Sequence, residues 1–494
     1  MSGYASDDNV SALAARFGTD QGVQDDRIGA TETAATAAAD AAAAADAKAV
    51  DAQKAKGPPY TPFASRADAE AASIIPDQIE VVRKGRVLRY LSSPTGSALN
   101  SIGKAWTPGD GDVSVLHFGA AADGVADDTD SVLSAMAWIS SVAPSERPRL
   151  NFPNGKIRIL TSIAISDDSI RISGSGANAP FDGLSVYSGG TELSYEGPSI
   201  DPMTGGVFTL GGISQCRGTV IEGMTINGND MAAAVWGQQA GGMKLRSVST
   251  DKAIWGVVLT GTNNNSCIFT DVKVYDPPTG GGGFDVRGNA HSSSFIDCSM
   301  ENKSSGLRNP ANGIRFGSEA NSSACLVIGC NFDYYRFTDA AISVISEMKA
   351  LSLVSNYIEV RADGVSAIPV KLANGGGIII AGNRITTANS NTYGINCFGT
   401  ARDITIMSNY FSGFTSSAVR IASGALNINV AGNYSTGLEV INQAAAGARK
   451  SVLQKDGKLT ADIIDAYQGI FVASDGSRRQ LVLNADGTVT HAPL

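Results

Sequence analysis

The sequence repeats itself from about residue 223 to residue 434, and this repeat limits what the chain can fold into. The pattern apolar-x-(Gly/Ser)-Asn-x-apolar, clearest at residues 380–385, recurs in steps of 24, 24, 26, 32, 26, 27, 26 and 24 residues. A second series of apolar-x-apolar pairs follows in the same register, from Val257 and Leu259 to Val419 and Ile421. Two series in phase predict a repeat architecture. The residues at the Asn position of the pattern, here called the first series, are Met224, Val248, Val272, Cys298, Cys330, Asn356, Asn383, Asn409 and Asn433.

A single repeat of this length is too short to bury its apolar residues, so neighbouring repeats must stack on a shared core. Period-2 alternation, β-branched residues, and Gly, Asn and Ser at the breaks favour a few short strands per repeat over a pair of helices. We therefore predict a mainly β chain that forms a right-handed parallel β-helix, with coils about 4.8 Å apart. The four asparagines of the first series should then lie above one another, where their side-chain amides can bond to each other along the axis.

Charge and hydropathy narrow the range of partners. The 494 residues carry a formal net charge of −9, which does not favour nucleic acid or an anionic membrane surface as a partner. No apolar run is long enough to span a bilayer, and the amino terminus lacks a signal-peptide pattern. We therefore expect synthesis in a cytosol and no membrane insertion.

Cysteine and histidine give little support to metal or triad chemistry. The six cysteines form no C-x-x-C pair, and His117, His291 and His491 lie far apart in the sequence. Cys298 and Cys330 fall in the first series and are expected to be small core residues. Neither residue type supports a zinc-like site or a Ser-His-Asp triad, so we expect no metal and no cofactor.

Residues 1–57 precede any strand pattern. Roughly the first 30 are polar, and residues 31–56 are mostly alanine, which has the highest helix propensity, up to a stop at Gly57-Pro58-Pro59. Such a helix can pack closely against copies of itself in a homotrimeric stalk, or it can be a solvated linker helix. The residues leave both interpretations open.

Residues 58–112 are predicted to form a small neck domain, residues 113–443 the β-helix, and residues 444–494 a terminal β module. In the neck, apolar residues between 77 and 91 flank Lys84-Gly85-Arg86 and predict a hairpin. The terminal module contains three hairpin-type turns between short apolar runs: Asp456-Gly457, Asp475-Gly476 and Asp486-Gly487.

The entry to the β-helix carries a distinct motif. Residues 118–129 have the sequence FGAAADGVADDT and precede an apolar-patterned helix at residues 131–142, with strand-like segments at 150–159 and 170–177. A solenoid end exposes core and open strand edges, so a polar-faced helix there would act as a cap. Asp128 or Thr129 is a natural N-cap for this helix, and capping accounts for the acidic cluster better than a cation site does.

This succession resembles the amino-terminal entry of pectate-lyase-like β-helix proteins, especially bacteriophage tailspikes and tail-fibre depolymerases. In that family an Asp-Gly-x-x-Asp-Asp-Thr turn leads into a capping helix, and the turn is matched by Asp123, Gly124, Asp127, Asp128 and Thr129. The resemblance implies a homotrimeric phage tail protein in the virion, attached to baseplate or tail proteins through its amino-terminal region. It also implies that the partner is a bacterial surface polysaccharide, either capsule or lipopolysaccharide, and that the terminal module closes the trimer or contacts ligand.

A β-helix presents straight rows of outward side chains, one from each coil. One such row consists of the residues three positions beyond each first-series residue. Its carboxylates are concentrated at Glu301, Asp333 and Glu359, and these three are here called the acidic row. Neighbours should lie about 5 Å apart and the outer pair about 10 Å apart. These separations bracket the carboxylate spacings of retaining and inverting glycosidases, about 5–5.5 Å and 6.5–9.5 Å. The three are therefore candidate catalytic residues, and a solvated acidic face without catalysis is the alternative.

Candidate ligand-binding residues surround the acidic row. Tyr334, Tyr335 and Arg336 are suited to stacking on sugars and to bonding hydroxyl or acidic groups. Asp285 and Arg315 point outward in the second series, where they can pair across coils or bind ligand. The step of 32 residues between the two cysteines of the first series predicts a loop beside the acidic row.

The residues alone do not decide between glycoside hydrolysis, elimination and a role without catalysis. Elimination requires a cation that neutralises a uronate, and Lys303, Arg336 and Arg361 lie near the acidic row in sequence but not on it. Glycoside hydrolysis is therefore favoured over a lyase activity. A structural or receptor-binding fibre without catalysis is the other alternative, and a monomeric state would favour a secreted pectinase-like enzyme.

Overall fold

The computed structural model divides the chain into two compact units, Met1–Asp110 and Gly111–Leu494. The predicted amino-terminal arm and alanine-rich helix lie outside the described residues. The structure describes residues 61–63, 78–83, 86–92, 99–101, 104–108, 113–177, 190–212, 215–301, 308–317, 322–345, 347–360, 367–387, 393–435, 440–442, 450–453, 470–472, 478–483 and 489–493.

The first unit contains a five-stranded sheet. Its first two strands in spatial order are parallel and the remaining pairs are antiparallel. The predicted hairpin is confirmed, with Arg83 opposite Arg86, and it buries Val81, Leu88 and Tyr90. The strands, in spatial order, are Thr61–Phe63, Gln78–Arg83, Arg86–Ser92, Lys104–Pro108 and Leu99–Ser101.

The second unit contains a parallel β-helix of about ten turns, as the repeat predicts. Each coil contributes strands to three parallel sheets, and equivalent strands lie one repeat apart in the sequence. Sheet 1 holds the second series of apolar pairs, whose members are buried in register. Its strands are Ile163–Ile165, Gly206–Gly211, Ala233–Gln238, Trp255–Thr260, Gly282–Val286, Asn312–Phe316, Ala340–Val344, Ile368–Leu372, Tyr393–Cys397, Ser417–Ile421 and Val440–Asn442.

Sheets 2 and 3 meet along one corner of the coil. Three long strands run through both sheets, sheet 2 taking the first half and sheet 3 the second: Val220–Asn227, Lys244–Asp251 and Ile268–Tyr275. Sheet 2 also contains Val113–Ser114, Leu150–Asn151, Arg171–Ser173, Ser294–Ile296, Ser323–Ile328, Lys349–Val354, Gly376–Ala381, Arg402–Met407, Leu426–Ala431 and Lys450–Leu453. Sheet 3 also contains Asp123–Asp127, Gly155–Ile159, Thr191–Tyr195, Ser299–Glu301, Asn331–Tyr335, Tyr357–Val360, Arg384–Thr387, Tyr410–Ser412 and Tyr434–Ser435.

A single left-handed residue makes the corner between sheets 2 and 3 in each coil. It directly precedes the first-series residue, which explains why the repeat pattern has Gly or Ser there. Gly382, with a φ of 65°, adopts this conformation without the steric cost that a side chain adds. The corner residues, with φ between 47° and 67°, are Gly223, Ser247, Asp271, Asp297, Gly329, Ser355, Gly382, Ser408 and Gly432.

The predicted asparagine ladder is confirmed. Each Nδ2 donates to the Oδ1 of the next coil at 2.9 Å, from Asn356 to Asn383, from Asn383 to Asn409, and from Asn409 to Asn433. Each Oδ1 also accepts from the backbone N–H of the preceding first-series residue, which is Cys330 for Asn356, at 2.9–3.0 Å. These buried amides therefore satisfy one another inside the coil, where water cannot.

The remaining first-series positions fill the core with apolar and sulfur side chains. Cys298 and Cys330 are buried free thiols, as predicted. Phenylalanines pack beside them: the rings of Phe269 and Phe295 stack with centroids 4.9 Å apart, and Phe284 meets Phe295 edge-on at 5.1 Å. The core therefore changes from aromatic packing in the middle coils to an amide ladder in the later ones.

A short helix caps the first coil, as the entry motif predicts. The α-helix Thr129–Ser141 buries Val132, Ala135 and Ile139. It packs on the 3₁₀ helix Val115–Phe118, with ring centroids of Phe118 and Trp138 6.2 Å apart. Apolar core at this end of the solenoid is thereby covered.

The acidic residues of the entry motif accept hydrogen bonds from backbone N–H groups, although Asp128 does not bond to the helix as we predicted. Asp128 occupies the N-cap position, but its side chain makes no capping bond to the helix and instead accepts from the N–H groups of Ala121 and Ala122. Asp127 accepts from the N–H of Thr129 at 3.0 Å. Both residues are Asp at a helix start, so the sequence could not show which carboxylate turns toward the helix.

The carboxyl-terminal residues include one more solenoid strand and a separate small sheet. The strand Lys450–Leu453 pairs in parallel with Leu426–Ala431, so sheet 2 of the β-helix continues beyond the predicted boundary at residue 443. The strands Ile470–Val472, Arg478–Leu483 and Val489–Pro493 form an antiparallel sheet, and the predicted turns Asp475-Gly476 and Asp486-Gly487 fall in the sequence between its strands, outside the described residues. Asp456-Gly457 lies outside the described residues.

Within the described part of the chain, no helix has the length and apolar character needed to cross a membrane.

Replacing a ladder asparagine should destabilise the solenoid. Asn383→Ala leaves buried partners on two neighbouring coils without their hydrogen bonds, and each such group costs about 1–3 kcal/mol. We expect a clear fall in the urea midpoint of unfolding. Asn429→Ala, which removes an exposed asparagine of sheet 2, is the matched control and should leave the midpoint unchanged. Equal midpoints for the two variants would contradict the proposed contribution of the ladder.

Candidate functional site

The acidic row lies on the outward side of sheet 3, at the ends of its strands. Tyr275 pairs with Glu301, and Glu359 with Thr386. Between these coils, Ser299 pairs with Asn331 and Met300 with Phe332, which places Asp333 beside Glu301. The three predicted catalytic carboxylates therefore follow one another on adjacent coils, and each is partly exposed.

A register irregularity separates Asp333 from Glu359. Pairing between their strands is regular up to Phe332 and Ile358, and it resumes with Tyr335 opposite Val360. One extra residue is therefore inserted on the Asp333 side, as in a β-bulge, a feature that redirects side chains at strand ends. The side chains of Tyr334 and Tyr335 lie outside the described residues, and Arg336 is partly buried.

Tyr357 forms a hydrogen bond with one carboxylate of the acidic row and is affected by the charge of a second. Its hydroxyl donates a hydrogen bond to Oε2 of Glu359. Burial raises the pKa of Tyr357, and the bond to Glu359 together with the charges of Glu359 and Asp333 raises it further. Glu359 and Asp333 therefore both lie close enough to this hydroxyl to act on its ionisation.

Tyr275 plays a similar part at the other end of the acidic row. It is buried and lies between Asp251 and Glu301 in the register of sheet 3. Burial raises the pKa of Tyr275, and the charges of Glu301, Asp271 and Asp251 add to the effect. A neutral hydroxyl thus separates Asp251 from the acidic row.

One described residue of the predicted loop beside the acidic row, Arg308, bonds to residues of earlier coils. Arg308 lies at the carboxyl end of the segment 302–307, which is outside the described residues along with Lys303. Its guanidinium donates to both carboxylate oxygens of Asp230, at 2.5 and 3.0 Å, and to the backbone carbonyl of Asp276 at 2.9 Å. These bonds fix this part of the loop against the strand ends that precede Glu301.

Asp285 and Arg315 pair across coils on sheet 1, as the sequence allows. Nε and Nη2 of Arg315 donate to the two oxygens of Asp285 at 2.9 and 2.5 Å, and Arg287 donates to the same carboxylate at 2.5 Å. The Arg315 guanidinium also lies 4.7 Å from the centroid of the Trp255 ring. Asp285 is 1% exposed, so its carboxylate is placed to orient the two arginines, and ligand binding by this pair stays a prediction.

A second ion pair occupies the outward side of sheet 1. Nζ of Lys371 lies 2.5 Å from a carboxylate oxygen of Asp339, and Nδ2 of Asn312 donates to the other oxygen at 3.0 Å. Burial acts to raise the pKa of Asp339, but the bonds from Lys371 and Asn312 outweigh it and the pKa is lowered. Opposite charges on this sheet are therefore largely matched with one another.

Sheet 3 carries a stacked column that the sequence analysis missed. The residues that directly follow the four ladder asparagines are Tyr357, Arg384, Tyr410 and Tyr434, here called the aromatic column. The Arg384 guanidinium lies 5.5 Å from the Tyr357 ring centroid and 5.6 Å from that of Tyr410. The rings of Tyr410 and Tyr434 are nearly parallel, with centroids 5.2 Å apart. The repeated Asn-Tyr and Asn-Arg dipeptides are the sequence signal from which the aromatic column could have been predicted.

The arrangement of carboxylates fits acid-base chemistry on an elongated ligand. Coils of a regular β-helix lie about 4.8 Å apart, a spacing that puts neighbouring carboxylates near the retaining distance and the outer pair near the inverting one, and the bulge between Asp333 and Glu359 modifies the separation of those two. The described residues contain no group of three His, Cys, Asp or Glu side chains arranged to hold a metal ion.

No protein-family model matches the chain, and no curated protein matches it. Solved structures do match. The DFA-IIIase of Arthrobacter chlorophenolicus A6, in complex with DFA-III, has a TM-score of 0.50 and 13% identity, over 68% of this chain and 86% of that one. The solved structures that resemble the chain are right-handed β-helix proteins of the pectate-lyase-like type, which agrees with the predicted fold. At this identity the likeness concerns the fold alone.

Two further structures are similar over much of the chain. The surface protein and adhesin PfbA of Streptococcus pneumoniae matches with a TM-score of 0.49 and 12% identity, over 69% of this chain and 99% of that one. ORF18 of Geobacillus virus E2 matches with a TM-score of 0.44 and 15% identity, over 88% of this chain and 89% of that one. These scores are too low to support an inference about function.

Removing the buried carboxylate of sheet 1 should destabilise the protein. Asp285→Ala leaves two guanidinium groups without their shared partner, and breaking a buried ion pair in this way costs about 3–5 kcal/mol. The unfolding midpoint in urea should fall accordingly. Glu347→Gln, which breaks the exposed pair with Arg402, is the control and should cost at most about 1 kcal/mol. Equal, small effects would show that Asp285 is dispensable for the fold.

Proposed function

We propose that the protein is a bacteriophage tailspike or tail-fibre protein that binds a bacterial surface polysaccharide along sheet 3 and hydrolyses it at the acidic row. The observation that carries the proposal is the alignment of Glu301, Asp333 and Glu359 on three adjacent coils, with Tyr357 bonded to Glu359. A straight outward row of this kind suits a linear polymer, because each coil can meet a successive part of the chain.

The assignment to a phage tail is supported by the entry to the solenoid. The motif that resembles tailspike proteins forms a turn and a capping helix, Thr129–Ser141, at the first coil. A homotrimer, attachment to baseplate or tail proteins through the amino-terminal region, and location in the virion are parts of the same proposal.

Glu359 is the proposed base or nucleophile. Its Oε2 accepts a hydrogen bond from the Tyr357 hydroxyl, and either role uses a carboxylate oxygen held in place in this way. The hydrogen bond also holds the carboxylate in one orientation at the surface of sheet 3.

The acid that protonates the leaving oxygen is Asp333 or Glu301, and the two alternatives predict different products. Asp333 lies on the coil next to Glu359, at the spacing of a retaining enzyme, whereas Glu301 lies two coils away, near the spacing that leaves room for a water. With Asp333 as the acid the product keeps its anomeric configuration, and with Glu301 it is inverted.

Hydrolysis is also favoured over elimination by the composition of the row itself. From Asn227 to Ser412 the row itself holds no lysine or arginine, and Arg384, which stacks on Tyr357, lies one coil beyond Glu359 and outside the row. Arg336 is partly buried beside the acidic row, and Arg361 lies outside the described residues.

Single amide variants test the mechanism. Glu301→Gln, Asp333→Asn and Glu359→Gln are nearly isosteric changes at partly exposed positions, so the fold should persist. Loss of a general acid or base lowers the rate by about 10²–10⁴-fold, and we expect this for Glu359→Gln and for at least one of the other two. The assay measures new reducing ends released from a panel of purified capsular polysaccharides and lipopolysaccharides, and NMR of the first product gives its anomeric configuration.

Asp403→Asn is the matched control, because this exposed carboxylate lies on sheet 2, away from the acidic row. Cleavage that persists in all three site variants would eliminate this site. Unsaturated products that absorb in the ultraviolet would show elimination instead. Binding without cleavage by the unaltered protein would favour a non-catalytic receptor-binding fibre.

A further inference from the structure

The aromatic column presents four side chains to solvent in one line. Its strands are in register, Tyr357 with Arg384, Arg384 with Tyr410, and Tyr410 with Tyr434. Because each residue follows an inward ladder asparagine, strand alternation turns it outward. Tyr410 and Tyr434 are 37% and 42% exposed, so both stacked rings reach the surface.

Arg384 is held in this column by ring faces instead of by a carboxylate. It is exposed, and among the described residues its side chain makes no ion pair or hydrogen bond. Some other arginines of the solenoid are paired with carboxylates, Arg315 with Asp285 and Arg402 with Glu347. A cation held between two rings keeps the N–H donors at the edge of its guanidinium available to a ligand.

The column runs beside the acidic row and extends past it. The row lies two residues further along the same strands, a distance of about 6.6 Å, and the Tyr357 hydroxyl bonds to Glu359. On the next two coils the row continues with Thr386 and Ser412, which carry no charge. The surface therefore changes, over one coil, from carboxylates to an exposed guanidinium flanked by tyrosines, with the partly exposed Ser412 one coil further, while Thr386 is buried.

We infer that the aromatic column is a binding subsite for an acidic polysaccharide, with a carboxylate or other anionic substituent of the polymer on Arg384. Sugar units next to it contact the exposed parts of Tyr410 and Tyr434, since tyrosine offers both apolar and hydrogen-bonding surface. The inference rests on the proposed function and adds the substrate class to it. Negative groups of the polymer would be repelled by the acidic row and attracted to the following coil, which fixes where the chain lies along the axis.

Polymers that share a backbone and differ only in charge test this directly. The probes are purified acidic capsular polysaccharides, each compared with its own carboxyl-reduced form, so that the backbone is shared and only the charge differs. We expect the protein to bind at least one acidic polymer about tenfold or more tightly than its reduced form, which corresponds to one charge-assisted contact. Arg384→Gln should lose most of this preference, and Arg384→Lys should keep part of it because the charge remains while the planar fork is lost.

Arg402→Gln is the matched control, an exposed arginine of sheet 2, and it should leave the preference unchanged. Equal binding to acidic and reduced forms, no binding to any acidic probe, or a preference that survives Arg384→Gln would overturn the inference. A lowered unfolding midpoint of Arg384→Gln with an intact preference would show that the column only stabilises the coils. Release of reducing ends is measured separately, so loss of binding in Arg384→Gln without cleavage by the unaltered protein would support the subsite while refuting hydrolysis.

Discussion

Hydrogen bonds between equivalent residues of successive coils determine where every outward side chain of this solenoid lies. Backbone pairing sets the distance between coils, but the buried amides of Asn356, Asn383, Asn409 and Asn433 also fix the register, because each needs the next asparagine as its partner. A slip of one residue would bury outward polar groups and expose the ladder. The outward residues that follow these four asparagines on sheet 3 therefore stay in line from coil to coil.

The outward sides of sheet 1 and sheet 3 arrange their charged side chains differently. On sheet 1, Asp285 is saturated by Arg315 and Arg287, an arrangement that suits stability and orientation. On sheet 3, Tyr357 contacts both a carboxylate and a cation: its hydroxyl binds Glu359, and its ring lies against Arg384. One side chain thus contacts two groups of opposite charge. The Glu359 carboxylate and the Arg384 guanidinium therefore remain available to act on a ligand.

Much of this could be predicted from the sequence, because in a solenoid a fixed step along the chain becomes a fixed step in space. The ladder contact of Asn383 with Asn409, and the pairing of Asp285 with Arg315, follow from that step alone. The stacking of Arg384 between tyrosines depends on side-chain rotamers, which alternation does not specify. The bond from Arg308 to Asp230 depends on the path of a non-repeating loop, and the bulge after Phe332 depends on one residue that breaks the period. What escaped prediction is therefore what departs from the repeat.

The most direct test is a crystal structure of the protein with oligosaccharides prepared by partial acid hydrolysis of the polysaccharide that it binds most tightly. The sugar chain should lie along sheet 3, parallel to the solenoid axis, with a glycosidic oxygen near Glu359 and an acidic substituent on Arg384. Sugar bound only on sheet 1, around Arg315 and Trp255, would contradict the placement of the site and with it the proposed roles of the acidic row.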